Sequence, residues 1–128
     1  MKRGDIVLIK FPFTDLSTTK VRPALVISSD KYNNKGEDAI FLYISSNTNN
    51  KQSTDLLIES SDKNFSSTGL KKSSLFRTDK LVILKKSLAA RKLGTANSDI
   101  LSKINIMLID ILDLKVTENS SQSTKNLD

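Results

Sequence analysis

The chain has no cysteine and no histidine, and only two prolines and four glycines in 128 residues. Without cysteine there is no disulfide framework, no thiolate metal site and no sulfur nucleophile. Without histidine the commonest zinc ligand and the usual general base are missing too. Only a carboxylate site could hold a metal, and no metal or other cofactor is expected. Long apolar runs are also absent: nothing approaches the roughly 18 residues of a membrane-spanning helix. The most apolar stretch, Ile104 to Leu114, carries Asp110 and Asp113 and reads as one face of a soluble helix. Lys10 and Pro12 interrupt the first apolar run, which rules out a secretory signal core. The expectation is a cytoplasmic protein with no membrane contact.

What is present is basic. Twenty Lys and Arg stand against fourteen Asp and Glu, a formal charge of +6 that favours an acidic partner such as nucleic acid. The excess is local, with eleven basic and five acidic residues between 61 and 115, among them Lys71, Lys72, Arg77, Arg91 and Lys92. Solvated strand faces and an RNA-facing patch both account for it.

The length suits one domain, expected over residues 1–115, followed by a polar tail over 116–128 with too few apolar groups to order itself. Short Val- and Ile-rich runs bounded by Gly, Pro, Ser and Thr predict strands at Ile6–Phe11 and Ala24–Ser28. Ala39–Ser46 is apolar throughout, the pattern of a central strand buried on both faces. Asp55–Glu59 is a fourth strand, and Ser74–Thr78 and Leu81–Leu84 are two more joined tightly through Asp79-Lys80. Ser87–Lys92 reads as one helical turn stopped by Gly94. A long helix follows, capped by Asn97 or Ser98, with Ile100, Leu101, Ile104, Met107, Leu108, Ile111 and Leu112 at helical spacing. Its stripe is wide enough to cover the sheet and leave a surplus for another subunit. Six strands in so short a span imply a mostly antiparallel barrel or sandwich. The polar connections Thr14–Val21 and Asn47–Thr54 are expected to be mobile, and Ser60–Lys72 to fold partly back on the domain.

Arg22 carries the most chemistry. Pro23 holds it in extended geometry at the start of a strand, beside a polar loop. Its guanidinium is permanently charged and presents a rigid fork of donors suited to phosphate oxygens. A salt bridge to Asp5, Asp15 or Asp30 is the alternative that the pattern alone leaves open.

The segment Arg3–Ser29 (RGDIVLIKFPFTDLSTTKVRPALVISS) resembles the MazF/PemK family of bacterial toxins. Gly69-Leu70-Lys71-Lys72-Ser73-Ser74, Arg77-Thr78-Asp79-Lys80-Leu81 and Lys92-Leu93-Gly94 resemble later family elements, so the likeness runs from about Arg3 to Leu114. It implies a mainly β (β/α+β) fold, a small SH3-like antiparallel β-barrel of the MazF/PemK/CcdB type with a long C-terminal helix. It implies the toxin component of a type II toxin–antitoxin pair, a metal-independent, sequence-selective endoribonuclease. Such enzymes cut single-stranded RNA by 2′-hydroxyl attack, leaving 2′,3′-cyclic phosphate and 5′-hydroxyl ends. Arg22 takes the catalytic arginine's place, and Ser45 that of a hydroxyl residue which is commonly threonine. A one-residue shift would give Ser46 that role. Phe11, Phe13 and Tyr32 are candidates to stack bases, Lys20 and Lys51 to hold phosphates, and Ser46, Asn47, Asn49, Asn50 and Gln52 to contact RNA. Phe11 and Phe13 suit a core equally well. The implied partners are single-stranded RNA, an antitoxin with a flexible acidic segment and a second copy of the chain. Two rival functions stay open: a gyrase-directed poison like CcdB, and a catalytically idle RNA-binding module.

Overall fold

A computed structural model describes residues 1–10 and 21–115. Phe11, Phe13, Lys20 and the tail from residue 116 therefore lie outside the described residues.

Gly4, at φ +98°, turns the chain into β1 (Asp5–Ile9), where Ile6, Val7 and Ile9 are all buried. β2 (Arg22–Val26) returns beside it, and α1 (Asp30–Lys35) leads into β3 (Asp38–Ser45). β4 (Asp55–Ile58), β5 (Ser74–Lys85) and β6 (Ala89–Thr95) complete one antiparallel sheet of order β4-β5-β3-β2-β1-β6. α2 (Ser98–Ile111) closes the described chain. The mainly β fold with a C-terminal helix is as expected, although β4 and β6 are free edges, so hydrogen bonds do not close the barrel.

β3 lies inside the sheet between β2 and β5, and its apolar run feeds two cores. Leu42 and Ile44 join Ile6, Leu25, Ile58 and Phe76 under α2, while Ala39 and Phe41 join Val7, Ile9, Ala24 and Val26 on the other face. Burying both faces is why this strand needs no polar alternation. α2 starts at Asn97, whose side chain accepts from the Ile100 amide at 3.1 Å and donates to Asn64 Oδ1 at 2.6 Å. It buries Ile100, Ile104 and Leu108, positions four residues apart. That stripe is narrower than expected. Ile111 and Leu112 are exposed along with Ile106, because the sheet offers α2 a single line of contact.

Three local expectations are corrected. Asp79-Lys80 is not a hairpin connection: β5 runs unbroken for 12 residues, and the pair falls in a register shift against β3, between Leu42↔Leu81 and Tyr43↔Arg77. Thr78 anchors this irregularity by donating its amide (3.2 Å) and its hydroxyl (2.6 Å) to the Thr54 carbonyl. Ser87–Lys92 is not a helical turn, since a short 3₁₀ turn at Lys86–Leu88 runs straight into β6. Gly94 does not stop a helix. It sits inside β6, where a Cβ would run into the backbone of Ser67 and Thr68. The segment over residues 60–72 does fold back as expected, crossing β6 at this point.

α1 was not foreseen, because six polar residues show no apolar period. Tertiary bonds hold it: Ser29 caps it by accepting from the Tyr32 amide at 3.0 Å, and buried Asn33 donates to the Ser28 carbonyl at 3.1 Å. The Ser28 hydroxyl bonds to the Asn33 side chain, and Lys86 reaches the Asn33 carbonyl.

Candidate active site

One end of the sheet, where β1 and β3 finish and β2, β5 and β6 begin, gathers the candidate residues. Arg22 opens β2 opposite Ile9, and Pro23 lies opposite Leu8. Arg22 is half-buried and, among the described residues, makes one weak contact, from Nη1 to the Val21 carbonyl at 3.4 Å. The salt-bridge partners proposed for it are engaged elsewhere. Asp5 pairs with Lys92 at 3.2 Å and accepts from the Lys2 amide, while Asp30 accepts from the Arg3 amide at 2.7 Å. Asp15 is outside the described residues, and among those described no carboxylate pairs with Arg22.

Ser45 is the last residue of β3. β2 and β3 pair from Val26↔Phe41 to Ala24↔Tyr43, and Arg22 and Ser45, each two residues beyond that last pair, belong to the same end and the same face of the sheet. The Ser45 oxygen accepts from the Asn47 amide at 3.1 Å, and among the described residues its only donor contact is a long 3.5 Å one to the Asn47 carbonyl. The hydroxyl proton is therefore available to a better acceptor. Ser46 alternates to the other face and is exposed.

The connection after Ser45, expected to be mobile, is braced by its own side chains. Asn47 Oδ1 accepts from the Asn49 amide at 3.0 Å, Gln52 Nε2 donates to the Asn50 carbonyl at 2.9 Å, and Asn50 adopts φ +59°. Asp55, only 2% exposed, fastens the far side by accepting from the Gln52 amide at 2.8 Å. Its other oxygen lies 2.6 Å from Arg77 Nε, an ion pair by distance that is not aligned as a hydrogen bond. These contacts occupy Asn47 Oδ1 and Gln52 Nε2, while the Asn49 and Asn50 side chains take no part in them. Lys51 is exposed on this loop. Tyr32 is not near the site: it lies on α1, at the opposite end of the sheet.

A cavity of about 360 Å³ lies at the same end of the sheet on the opposite face, where Pro23 and Ser46, the chain neighbours of Arg22 and Ser45, line it. Leu8, Pro23, Leu70 and Leu93 form its apolar lining, and Lys71, Lys72 and Arg91 supply its charge. Leu8 pairs with both Pro23 and Arg91, so one row across β2, β1 and β6 makes its floor. Lys71 and Lys72 signalled themselves only as part of the basic excess. Arg91 could not be placed by sequence, because its neighbour Leu8 is remote along the chain. Among the described residues no group of three or more metal-ligating side chains occurs.

The profile of the PemK-like, MazF-like toxins of type II toxin–antitoxin systems matches residues 2–112. The chain belongs to this family. Every strand and all of α2 fall inside the match. Solved structures agree in fold. An endoribonuclease in complex with its cognate antitoxin, from a mycobacterial species, superposes with a TM-score of 0.70 at 21% identity, covering 91% of this chain and 99% of that one. A MazE–MazF complex from Deinococcus radiodurans gives 0.66 at 20% identity, covering 90% and 97%. The Mycobacterium tuberculosis toxin MazF-mt6 gives 0.67 at 13% identity, covering 89% and 100%. Comparison with curated protein sequences finds no match.

Proposed function

We propose that this toxin is a metal-independent endoribonuclease that cuts single-stranded RNA, and that Arg22 and Ser45 act at the scissile phosphate. The observation that carries the reading is the placement of Arg22 and Ser45 at one end and on one face of the sheet within a PemK/MazF-like chain. Superposable proteins that are endoribonucleases, one of them bound to its antitoxin, support it over a gyrase-directed poison or an idle binding module.

In-line attack by the 2′-hydroxyl on the adjacent phosphorus builds negative charge on a phosphorane, then expels the 5′-oxygen. Arg22 meets that charge with a fork of donors that, among the described residues, makes one weak contact with the protein. As a base it is unsuited, since a guanidinium stays protonated. Ser45 donates its hydroxyl proton to a phosphate or sugar oxygen, giving up the 3.5 Å contact to Asn47. Together they orient the group and stabilise its transition state. The toxin works in the cytoplasm as a homodimer, with its antitoxin's acidic segment competing for the basic end of the sheet.

A long unstructured RNA incubated in excess EDTA should acquire new 5′-hydroxyl ends with wild type. Arg22→Ala should slow cleavage about 10²–10³-fold, the effect of losing one transition-state donor, with an unchanged circular dichroism spectrum. A metal requirement, or full activity in Arg22→Ala, refutes this mechanism. Gyrase capture with no cut RNA would establish the rival.

A further inference from the structure

Asp55 is a buried carboxylate that the proposed reaction does not use. It opens β4 at only 2% exposure, and its two oxygens serve different parts of the chain. Oδ2 accepts from the Gln52 amide at 2.8 Å, in the connection that follows Ser45, and Oδ1 lies 2.6 Å from Nε of Arg77 in β5. Asp79 stands further from the same nitrogen, at 4.0 Å. Burying a charge is costly, and a buried ion pair adds little net stability over apolar side chains of similar size. Its place in the fold is therefore the informative property. Asp55 pairs with Arg77 across β4 and β5, and Arg77 with Tyr43 across β5 and β3, so the three form one row. Ser45 lies two residues beyond Tyr43 and shares that row's face of the sheet.

From the Asp55–Arg77 pair a line of hydrogen bonds leads back to Ser45. The Asp55 amide donates to the Gln52 carbonyl at 3.0 Å, so this one residue grips both backbone groups of Gln52. Gln52 Nε2 holds the Asn50 carbonyl at 2.9 Å, and Asn47 Oδ1 holds the Asn49 amide at 3.0 Å. The Asn47 amide then donates to the Ser45 oxygen at 3.1 Å. Thr78, next to Arg77, secures the same end of the connection with two bonds to the Thr54 carbonyl. Residues 46–53 are all exposed, so polar contacts rather than apolar packing fix the connection.

We propose that Asp55 and Arg77 are positioning residues for Ser45. The pair fixes the far end of the connection, and the connection holds Asn47 where its amide orients the Ser45 hydroxyl. Because serine lacks the methyl group that stiffens threonine, its orientation depends the more on this support. The inference rests on the nuclease reading and adds to it two residues that touch neither RNA nor the reacting atoms.

The test compares full-length wild type with Asp55→Asn, which keeps an acceptor for Gln52 and removes the charge, and with Arg77→Met and Arg77→Lys. Cleavage of a short RNA should show kcat about tenfold lower in Asp55→Asn and Arg77→Met, with KM little changed. Arg77→Lys should recover most of that loss, because Nε is not aligned as a donor to Asp55 and the pair acts through charge and proximity. The Arg77 variants, at a side chain 23% exposed, carry the same comparison where Asp55→Asn fails to fold. In a Ser45→Ala background the substitutions should cause no further loss, since the hydroxyl they position is gone. An unchanged kcat, or losses that multiply with that of Ser45→Ala, overturn the proposal. Amide hydrogen exchange adds a readout that needs no activity. Asp55→Asn or Arg77→Met should speed exchange at Asn47 and Gln52 while Phe41 and Leu42 in β3 keep their wild-type rates. Equal acceleration in β3 would make the pair a support of the whole fold, and unchanged exchange at Asn47 would uncouple it from Ser45; either result overturns the proposal. If wild type cuts no RNA while exchange at Asn47 rises as stated, the nuclease reading fails alone and the positioning of Ser45 stands.

Discussion

Ser45 differs from the threonine commonly found at its position by one methyl group, and the consequence is local. Threonine holds χ1 more stiffly, whereas the serine hydroxyl here is positioned by the Asn47 amide. Ser45→Thr should therefore keep or modestly raise kcat. Ser45→Ala should lower it about 10- to 100-fold, the value of one hydrogen bond to a charged group. Single-turnover cleavage of a short RNA measures both, and Ser46→Ala should leave kcat unchanged if Ser45 is the residue at the phosphate. Arg22 was legible as a candidate because Arg-Pro at a strand start is a local pattern. What the pattern left open was its partner, since only the register across β1, β2 and β3 shows that Asp5 and Asp30 are engaged elsewhere.

At the scale of elements, local signals and long-range contacts divide cleanly. β1, β3 and α2 were readable because each carries an uninterrupted apolar pattern with recognisable ends. β5 was split in two on paper because Asp79-Lys80 looks like a turn, yet pairing with β3 carries the strand through it. Gly94 was misread for the opposite reason: its lack of a Cβ serves a contact with Ser67 and Thr68 that no local pattern announces. Gly94→Ala should thus cost about 1–3 kcal/mol, the usual penalty for forcing atoms into a closed space, read as a lower urea midpoint with unchanged slope. A midpoint equal to wild type would show that the crossing is not a tight contact.

For the whole molecule, the unpaired apolar surface of α2 is the feature that calls for a partner. Ile106 is 67% exposed, with Leu112 and Leu114 about half exposed beside it. Soluble monomers seldom leave such groups clustered, and a second copy of the chain is the proposed cover. Ile106→Glu combined with Leu112→Glu should halve the mass seen by sedimentation equilibrium while the fold persists, because neither residue reaches the core. Retention of the dimer would move the interface to another face. Charge also acts at this scale: RNA binding should weaken linearly in log affinity with log salt, reporting the number of phosphates neutralised.

Sequence alone determined the chemistry that is possible. No histidine or cysteine means no imidazole base, thiolate or zinc site, and short β-branched runs followed by one amphipathic helix mean a sheet capped by a helix. It also singled out Arg22, since proline's effect on its predecessor is a property of two adjacent residues. Tertiary structure decided what meets what: Ser45 at the same end and face of the sheet as Arg22, Arg91 beside Leu8, and Gly69 against β6. Those relations depend on strand order and register, which arise from burying two apolar faces at once. No window of the chain contains that information.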